Sequence, residues 1–223
     1  MVQPAPRTSR AERTRASILD AAETRFAERG FSATRLEDVA EAVGIRRASI
    51  VYHFRDKREL YDAVLAGVFA GLYERIEAAL SGPGNLAERI EAGVSAWVDY
   101  VGARPTFARL LLREVADATT DRREALLRLT APFGDLVRSQ VYERRRPEDP
   151  RLNDIDPVHM ASTIAGATVF FVAAMPTLFP ALGFDPLAKE QLDAHRAEVL
   201  RITHRLLGVN GDGPAPSGSE GGA

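Results

Sequence analysis

The 223-residue chain contains no cysteine. Disulfide frameworks, thiolate metal sites and a cysteine nucleophile are excluded by that alone, and the composition suits a reducing, cytoplasmic setting. Thirteen prolines and 17 glycines are too few for a fibrous protein. The four histidines, His53, His159, His195 and His204, never recur at a spacing of three to five, so no helical zinc pair exists. A glycine-rich phosphate loop and a Gly-x-Ser-x-Gly elbow are also missing. Paired carboxylates such as Glu37/Asp38 fall where helix capping explains them. The expectation is a protein without catalytic residues, metal or cofactor. The opening MVQPAPRT lacks the apolar core of a signal peptide.

What is present is an ordinary globular composition, 45% hydrophobic and 27% charged. Net charge is −2, but it is unevenly spread. Residues 1–60 hold 12 Lys/Arg against 9 Asp/Glu, and the remainder holds 17 against 22. Arg46, Arg47, Arg55, Lys57 and Arg58, offset only by Asp56, concentrate positive charge in a short segment. A local basic patch on a mildly acidic protein suits a specific polyanion partner; a solvated helix face explains the same charges without one. Pro157–Phe184 carries no charged residue. It is long enough to span a bilayer, yet Ser162, Thr163, Gly166 and Thr168 at its centre and Pro176 and Pro180 at its end favour a helix buried among partners. No membrane attachment is expected.

The pattern is helical throughout. Capping signals of the form Ser/Thr/Asp/Asn followed three residues later by Glu occur at Ser9–Glu12, Thr34–Glu37, Asp56–Glu59, Asn85–Glu88 and Asp121–Glu124. Asp156–Pro157 and Asp185–Pro186 read as a cap before an N-terminal proline. About nine helices are expected, over about 9–29, 35–43, 47–54, 57–80, 86–103, 105–118, 122–145, 157–179 and 186–207. Ser81-Gly82-Pro83-Gly84 breaks the chain and Arg146–Asp154 is a polar loop. The first four helices bury Ile18, Ala22 and Phe26; Leu36, Val39, Ala40 and Val43; Ile50 and Phe54; and Leu60, Val64, Val68 and Leu72.

Residues 34–54 form two short helices joined by a tight glycine-containing turn, the layout of a helix-turn-helix. Its second helix lies in a DNA major groove with its N-terminal residues at base edges. With Ile50 and Phe54 inward, Arg47, Ala48, Ser49, Tyr52 and His53 face outward or flank. Arginine reads guanine, serine bonds either way and alanine meets a thymine methyl. Tyr52, His53 and Lys57 suit phosphate oxygens. Short helix pairs also occur purely as packing units.

Thr34-Arg35-Leu36-Glu37-Asp38-Val39-Ala40-Glu41-Ala42-Val43-Gly44-Ile45, then Ser49-Ile50-Val51-Tyr52-His53-Phe54-Arg55-Asp56-Lys57-Arg58-Glu59-Leu60, resembles the N-terminal domain of the tetracycline-repressor (TetR/AcrR) family. Ile18-Leu19-Asp20-Ala21-Ala22 and Phe26…Gly30 match its first helix, so the resemblance covers about residues 11–71. It implies an all-α homodimer that binds a palindromic operator in double-stranded DNA and usually represses, until a small molecule in the C-terminal domain respaces the two heads. Three departures stand out. Arg46 occupies the usual Ser/Thr cap position, Ala48 replaces a frequent Gly or Pro, and Val51 sits where Tyr is frequent. The adjacent Arg46 and Arg47 favour G-containing half-sites. The expected DNA-binding residues are Thr34, Arg35, Arg46, Arg47, Ala48, Ser49, Tyr52, His53 and Lys57.

The expected organisation is a disordered arm at 1–8, a DNA-binding domain at 9–71, a ligand-binding and dimerisation domain at 72–207, and a disordered tail at 208–223. A small hydrophobic or amphipathic effector is expected against Trp97, Phe107, Leu110, Leu111, Phe133, Val137, Phe170 and Phe171, although aromatics at helical spacing are also ordinary core. The family layout places the dimer interface on the last two long helices, here through Ile164, Phe171, Met175, Leu192, Val199, Ile202 and Leu206; an intrachain core explains the same stripes. A helical ligand-binding protein or enzyme acting on an acidic or hydrophobic small molecule is the competing class, and the salt dependence of binding separates the two.

Overall fold

A computed structural model describes residues 9–116, 119–143 and 157–207. Its elements are α1 (Arg10–Ala33), α2 (Leu36–Val43), α3 (Arg47–His53), α4 (Lys57–Leu80), α5 (Leu86–Ala103), α6 (Pro105–Ala116), α7 (Thr120–Val137), α8 (Pro157–Ala173), α9 (Met175–Leu178) and α10 (Lys189–Leu207), with no strand among the described residues. The expected arm, polar loop and tail lie outside the described residues. None of these helices is long and apolar enough to cross a membrane.

Local chemistry sets the helix starts. At α1 the Ser9 hydroxyl accepts from Glu12 N while the Glu12 carboxylate takes the Ser9 N–H. Asn85 and Glu88 repeat that exchange at α5, and Asp56 Oδ1 accepts from Glu59 N at 2.9 Å to open α4. Three expected caps move. Thr34 is drawn away from α2 because its hydroxyl donates to the α1 carbonyls of Gly30, at 2.8 Å, and Arg25, at 3.1 Å. Arg35 becomes the cap residue instead, and its N–H goes to Asp38 Oδ2. α7 starts after Thr119, which leaves Asp121 in the first turn, where its charge still suits the helix dipole. Asp185 accepts from Leu187 N in a local turn, so α10 begins at Lys189 rather than 186.

Two long helices are also divided. The expected 157–179 helix ends at Ala173, because Pro176 cannot donate to the preceding turn, and the short α9 follows. α7 contains Pro132 and widens into a π turn over Arg138–Tyr142. Gly30 interrupts α1 with φ +79°, a left-handed conformation open to glycine. Gly44 closes α2 at φ +72°, with its N–H returned to the carbonyls of Ala40 and Glu41.

The expected apolar stripes of α1 to α4 are buried, apart from the half-buried Val43. One core runs from Ile18, Phe26, Ile50 and Phe54 through Val68 and Phe69 to Val98, Phe107 and Val172. The boundary expected near residue 71 therefore falls inside the unbroken α4, and the head shares its core with the body. A second cluster joins Leu80, Ile90, Val94, Leu136, Val141, Met160 and Val199.

Candidate functional site: a nucleic-acid interface and an apolar cavity

In α3, Ile50 is fully buried and Phe54, just past its end, nearly so; these two anchors fix which side faces out. Arg46, Arg47 and Ala48 are exposed, Ser49 and His53 are half-buried, and Tyr52 stands 82% exposed. Arg46 offers no side-chain cap to α3, as its residue type dictates. Ala48, Ser49, Tyr52 and His53 form one side of a groove whose other side is the first turns of α1, with Arg10, Ala11 and Thr14. The α1 residues were not among the expected set. Arg10 lies 38 residues or more from the α3 wall in sequence, so only tertiary packing brings it there.

Charges around this face are balanced locally. Arg47 Nε lies 2.9 Å from Glu37 Oε1, and Arg35 Nε lies 3.9 Å from Glu37 Oε2. Both arginines are well exposed, so these pairs are weak and exchangeable. The N–H of Glu59, followed by the neighbouring Arg55, holds the Asp56 carboxyl below its ordinary range.

Two expected DNA-binding residues are built into the head instead. Thr34 is buried, and its hydroxyl is spent on α1. Lys57 Nζ donates to the carbonyls of Phe31 at 2.8 Å, Thr34 at 3.0 Å and Ser32 at 3.2 Å. That uses all three ammonium donors, and the ammonium also sits 4.5 Å from the Phe31 ring centre. Lys57 thus caps the open carbonyls at the end of α1 and is not free for a phosphate.

Below the head, a cavity of about 370 Å³ opens among α4, α5, α6, α7 and α8, toward the lower end of the ~300–1,000 Å³ usual for small-molecule sites. Trp97, Phe107, Leu111, Phe133 and Val137 line it, as expected from their positions. Leu110, Phe170 and Phe171 do not. Leu110 is buried in the core, Phe170 points outward at 49% exposure, and Phe171 stacks on the His195 ring at 4.0 Å. Sequence reasoning missed the contribution of α4, through Phe69, Leu72 and Ile76; α8, expected through Phe170 and Phe171, contributes Met160, Ala161, Ile164 and Ala165 instead. Burial lowers the His195 pKa, in keeping with a neutral ring between Phe171 and the Thr168 hydroxyl, 3.2 Å away.

The expected dimer residues divide. Ile164 lines the cavity, Val199 is buried in the second cluster, and Leu192 packs on Gly102 of α5. With Phe171 these four face their own chain, because α8 and α10 pack on α5 with those stripes. Met175 and Ile202 are half-buried and Leu206 is 38% exposed. The outward line on α8 is Val158, Ser162, Gly166 and Phe170.

Comparison with known proteins agrees with this architecture. Residues 18–64 match the family model of the bacterial regulatory proteins of the tetR family. The chain is 30% identical over 134 residues to the HTH-type transcriptional repressor KstR2 of Rhodococcus jostii strain RHA1, covering 60% of this chain and 66% of that one, just under two thirds of the relative's length. In fold it is similar to the fatty acid degradation regulator FadR from Bacillus halodurans, with a TM-score of 0.68 at 16% identity, covering 91% and 97% of the two chains. It is also similar to FadR from Bacillus subtilis in complex with stearoyl-CoA, with a TM-score of 0.65 at 15% identity, covering 84% and 96%. The helix-turn-helix head is thus similar to that of the bacterial regulatory proteins of the tetR family, and the whole chain, with its head fused through α4 to an all-helical body around an apolar cavity, shares the fold of these solved regulators.

Proposed function

We propose that this protein is a ligand-responsive transcriptional repressor that binds a palindromic DNA operator as a homodimer and is released by a small hydrophobic effector. The observation that carries the reading is the α3 face. A tyrosine 82% exposed, two exposed arginines and a serine stand on a rigid two-anchor helix, beside a groove whose far wall is the Arg10 end of α1. Side chains of these types serve base edges and phosphates, and nothing in the fold requires them to be exposed. The named repressor among the relatives supports the regulatory reading, and the stearoyl-CoA complex of a protein with this fold supports a hydrophobic effector.

The route from cavity to head runs through α6. Phe107 and Leu111 line the cavity, while Arg113 on the same helix donates to the carbonyls of Ala27 at 3.3 Å and Glu28 at 3.1 Å on α1. An effector that moves α6 therefore moves α1. It releases DNA only by binding the released arrangement more tightly than the bound one.

The test is binding to DNA from just upstream of the protein's own gene, titrated with salt against random DNA. The expected result is preferential binding at two subunits per site, with log affinity falling linearly in log salt by about 0.9 per phosphate neutralised. Equal, weakly salt-dependent binding to both DNAs overturns the reading and favours a helical ligand-binding protein.

A further inference from the structure

Glu37 is the acidic side chain of α2 that capping does not explain. Its sequence position suits a cap with Thr34, but the structure gives that task to Asp38, whose Oδ2 takes the Arg35 N–H at 3.1 Å and lies 3.2 Å from Arg29 Nη1. A carboxylate beside a surface built for a polyanion opposes binding unless a cation holds it. That cation is Arg47, the first residue of α3, with Nε 2.9 Å from Glu37 Oε1, while Arg35 stands further off at 3.9 Å. Both members of the closer pair are more than half exposed, so it adds little to the stability of the free protein. The frame beneath it is fixed. Ile45 N–H donates to the Ala40 carbonyl at 3.0 Å across the turn, and Val39, Ala40 and Ile50 share the buried core. The pair therefore bridges the two helices of the helix-turn-helix at a set spacing. Arginine carries its donors in one rigid plane, so a contact at Nε restricts where Nη1 and Nη2 point.

We propose that Glu37 is a positioning residue for operator reading: it holds the Arg47 guanidinium at Nε so that Nη1 and Nη2 meet O6 and N7 of one guanine in each half-site. The inference rests on the DNA-binding reading above and adds which arginine reads the base and what aims it. In the free protein, water screens the pair. Entry of α3 into the groove removes that water, and the contact strengthens as the fork engages the base. The same carboxylate repels phosphates on every sequence, so it lowers general affinity while raising discrimination. Arg46, exposed just before α3, has no carboxylate partner among the described residues and suits a phosphate instead.

The test enriches binding sequences from a random duplex library with the full chain, then measures affinities by gel shift at fixed salt. The wild-type protein is expected to enrich a guanine at symmetric places in paired half-sites. Changing that guanine to adenine is expected to weaken binding at least about tenfold. Arg47→Ala is expected to become indifferent at that position. Glu37→Gln, with its melting temperature unchanged, is expected to cut the guanine penalty to about threefold or less while affinity for random DNA holds or rises. Glu37→Asp keeps the charge and shortens the reach, so the penalty is expected to fall there too. A full guanine penalty in either Glu37 variant overturns the positioning role, and a penalty that survives Arg47→Ala overturns the choice of Arg47. An equal loss on enriched and random DNA in Glu37→Gln reduces Glu37 to a structural part and overturns the inference as well. If the wild-type protein enriches no sequence, the regulatory reading fails and this inference falls with it. If it enriches one that the Glu37 variants discriminate equally well, the inference alone fails.

Discussion

Glu23 of α1 and Arg104, 81 residues later at the turn between α5 and α6, form a two-pronged ion pair, with Arg104 Nε 2.9 Å from Glu23 Oε1 and Nη2 2.8 Å from Oε2. The Thr106 hydroxyl donates to the same carboxylate, and Arg104 also reaches Tyr100 Oη at 3.4 Å. Tyr100 in turn donates to the Val68 carbonyl of α4 at 2.6 Å. The head is therefore tied to the body by a directional polar chain as well as by the shared core. Glu23→Gln keeps the volume and removes the charge opposite a guanidinium that is a third exposed. The expected cost is about 1–3 kcal/mol, read as a shift of the urea midpoint at constant slope. An unchanged midpoint means that water replaces the pair without loss.

Two residues of the basic segment, both expected from the sequence to touch DNA, should behave oppositely. Tyr52→Ala, on the exposed α3 face, is expected to lower operator affinity at least about tenfold with thermal stability unchanged. Lys57→Met is expected to lower stability by about 1–2 kcal/mol, because three carbonyls lose their donor. Arg10→Ala, absent from the expected set, should weaken binding on all sequences and flatten the salt slope by about one phosphate. The reverse pattern for Tyr52 and Lys57, in paired gel-shift and melting experiments, would falsify the placement of the interface.

Gly30 holds φ +79° and ψ 172°, and a β-carbon there would sit 3.1 Å from the Arg113 guanidinium. Gly30→Ala therefore forces strain into the backbone and displaces the clamp between α1 and α6. A loss of about 1–3 kcal/mol is expected by denaturation. Gly134 has open space and no positive φ, so Gly134→Ala is the matched control and should be neutral or slightly stabilising.

The Tyr61 hydroxyl donates to Glu114 at 2.5 Å, within a network that Arg122 closes onto Glu114 and, at 2.8 Å, onto Asp62. Burial and then the Glu114 carboxylate raise the Tyr61 pKa. A raised folded-state value means that the neutral phenol is favoured by folding. Its contribution is complete below the unfolded value of about 10 and is lost as pH climbs above it. Stability should thus fall above about pH 10, and Tyr61→Phe should be less stable at neutral pH yet show a shallower alkaline decline. Parallel pH profiles for the two proteins would exclude Tyr61 as the titrating group.

Local sequence determined what local forces decide. The reciprocal caps at Ser9–Glu12 and Asn85–Glu88, the glycine at the end of α2 and the apolar spacing of the first four helices are interactions within a few residues, so the string of letters specified them before any packing. The helix-turn-helix and the outward face of α3 followed, because Ile50 and Phe54 sit four apart. Tertiary structure decided where competing partners exist. Thr34 had a legible capping pattern, but the free carbonyls of Gly30 and Arg25 offered its hydroxyl a buried alternative. Lys57 read as a phosphate ligand until folding brought the carbonyls of Phe31, Ser32 and Thr34, at and just past the end of α1, around its ammonium. Phe170 and Phe171 are adjacent in sequence and differ in fate, since neighbours on a helix point about 100° apart and only the packing of α8 on α10 selects which one stacks on His195. The cavity itself was legible only as a supply of aromatic residues. Its walls come from five helices that only tertiary packing brings together.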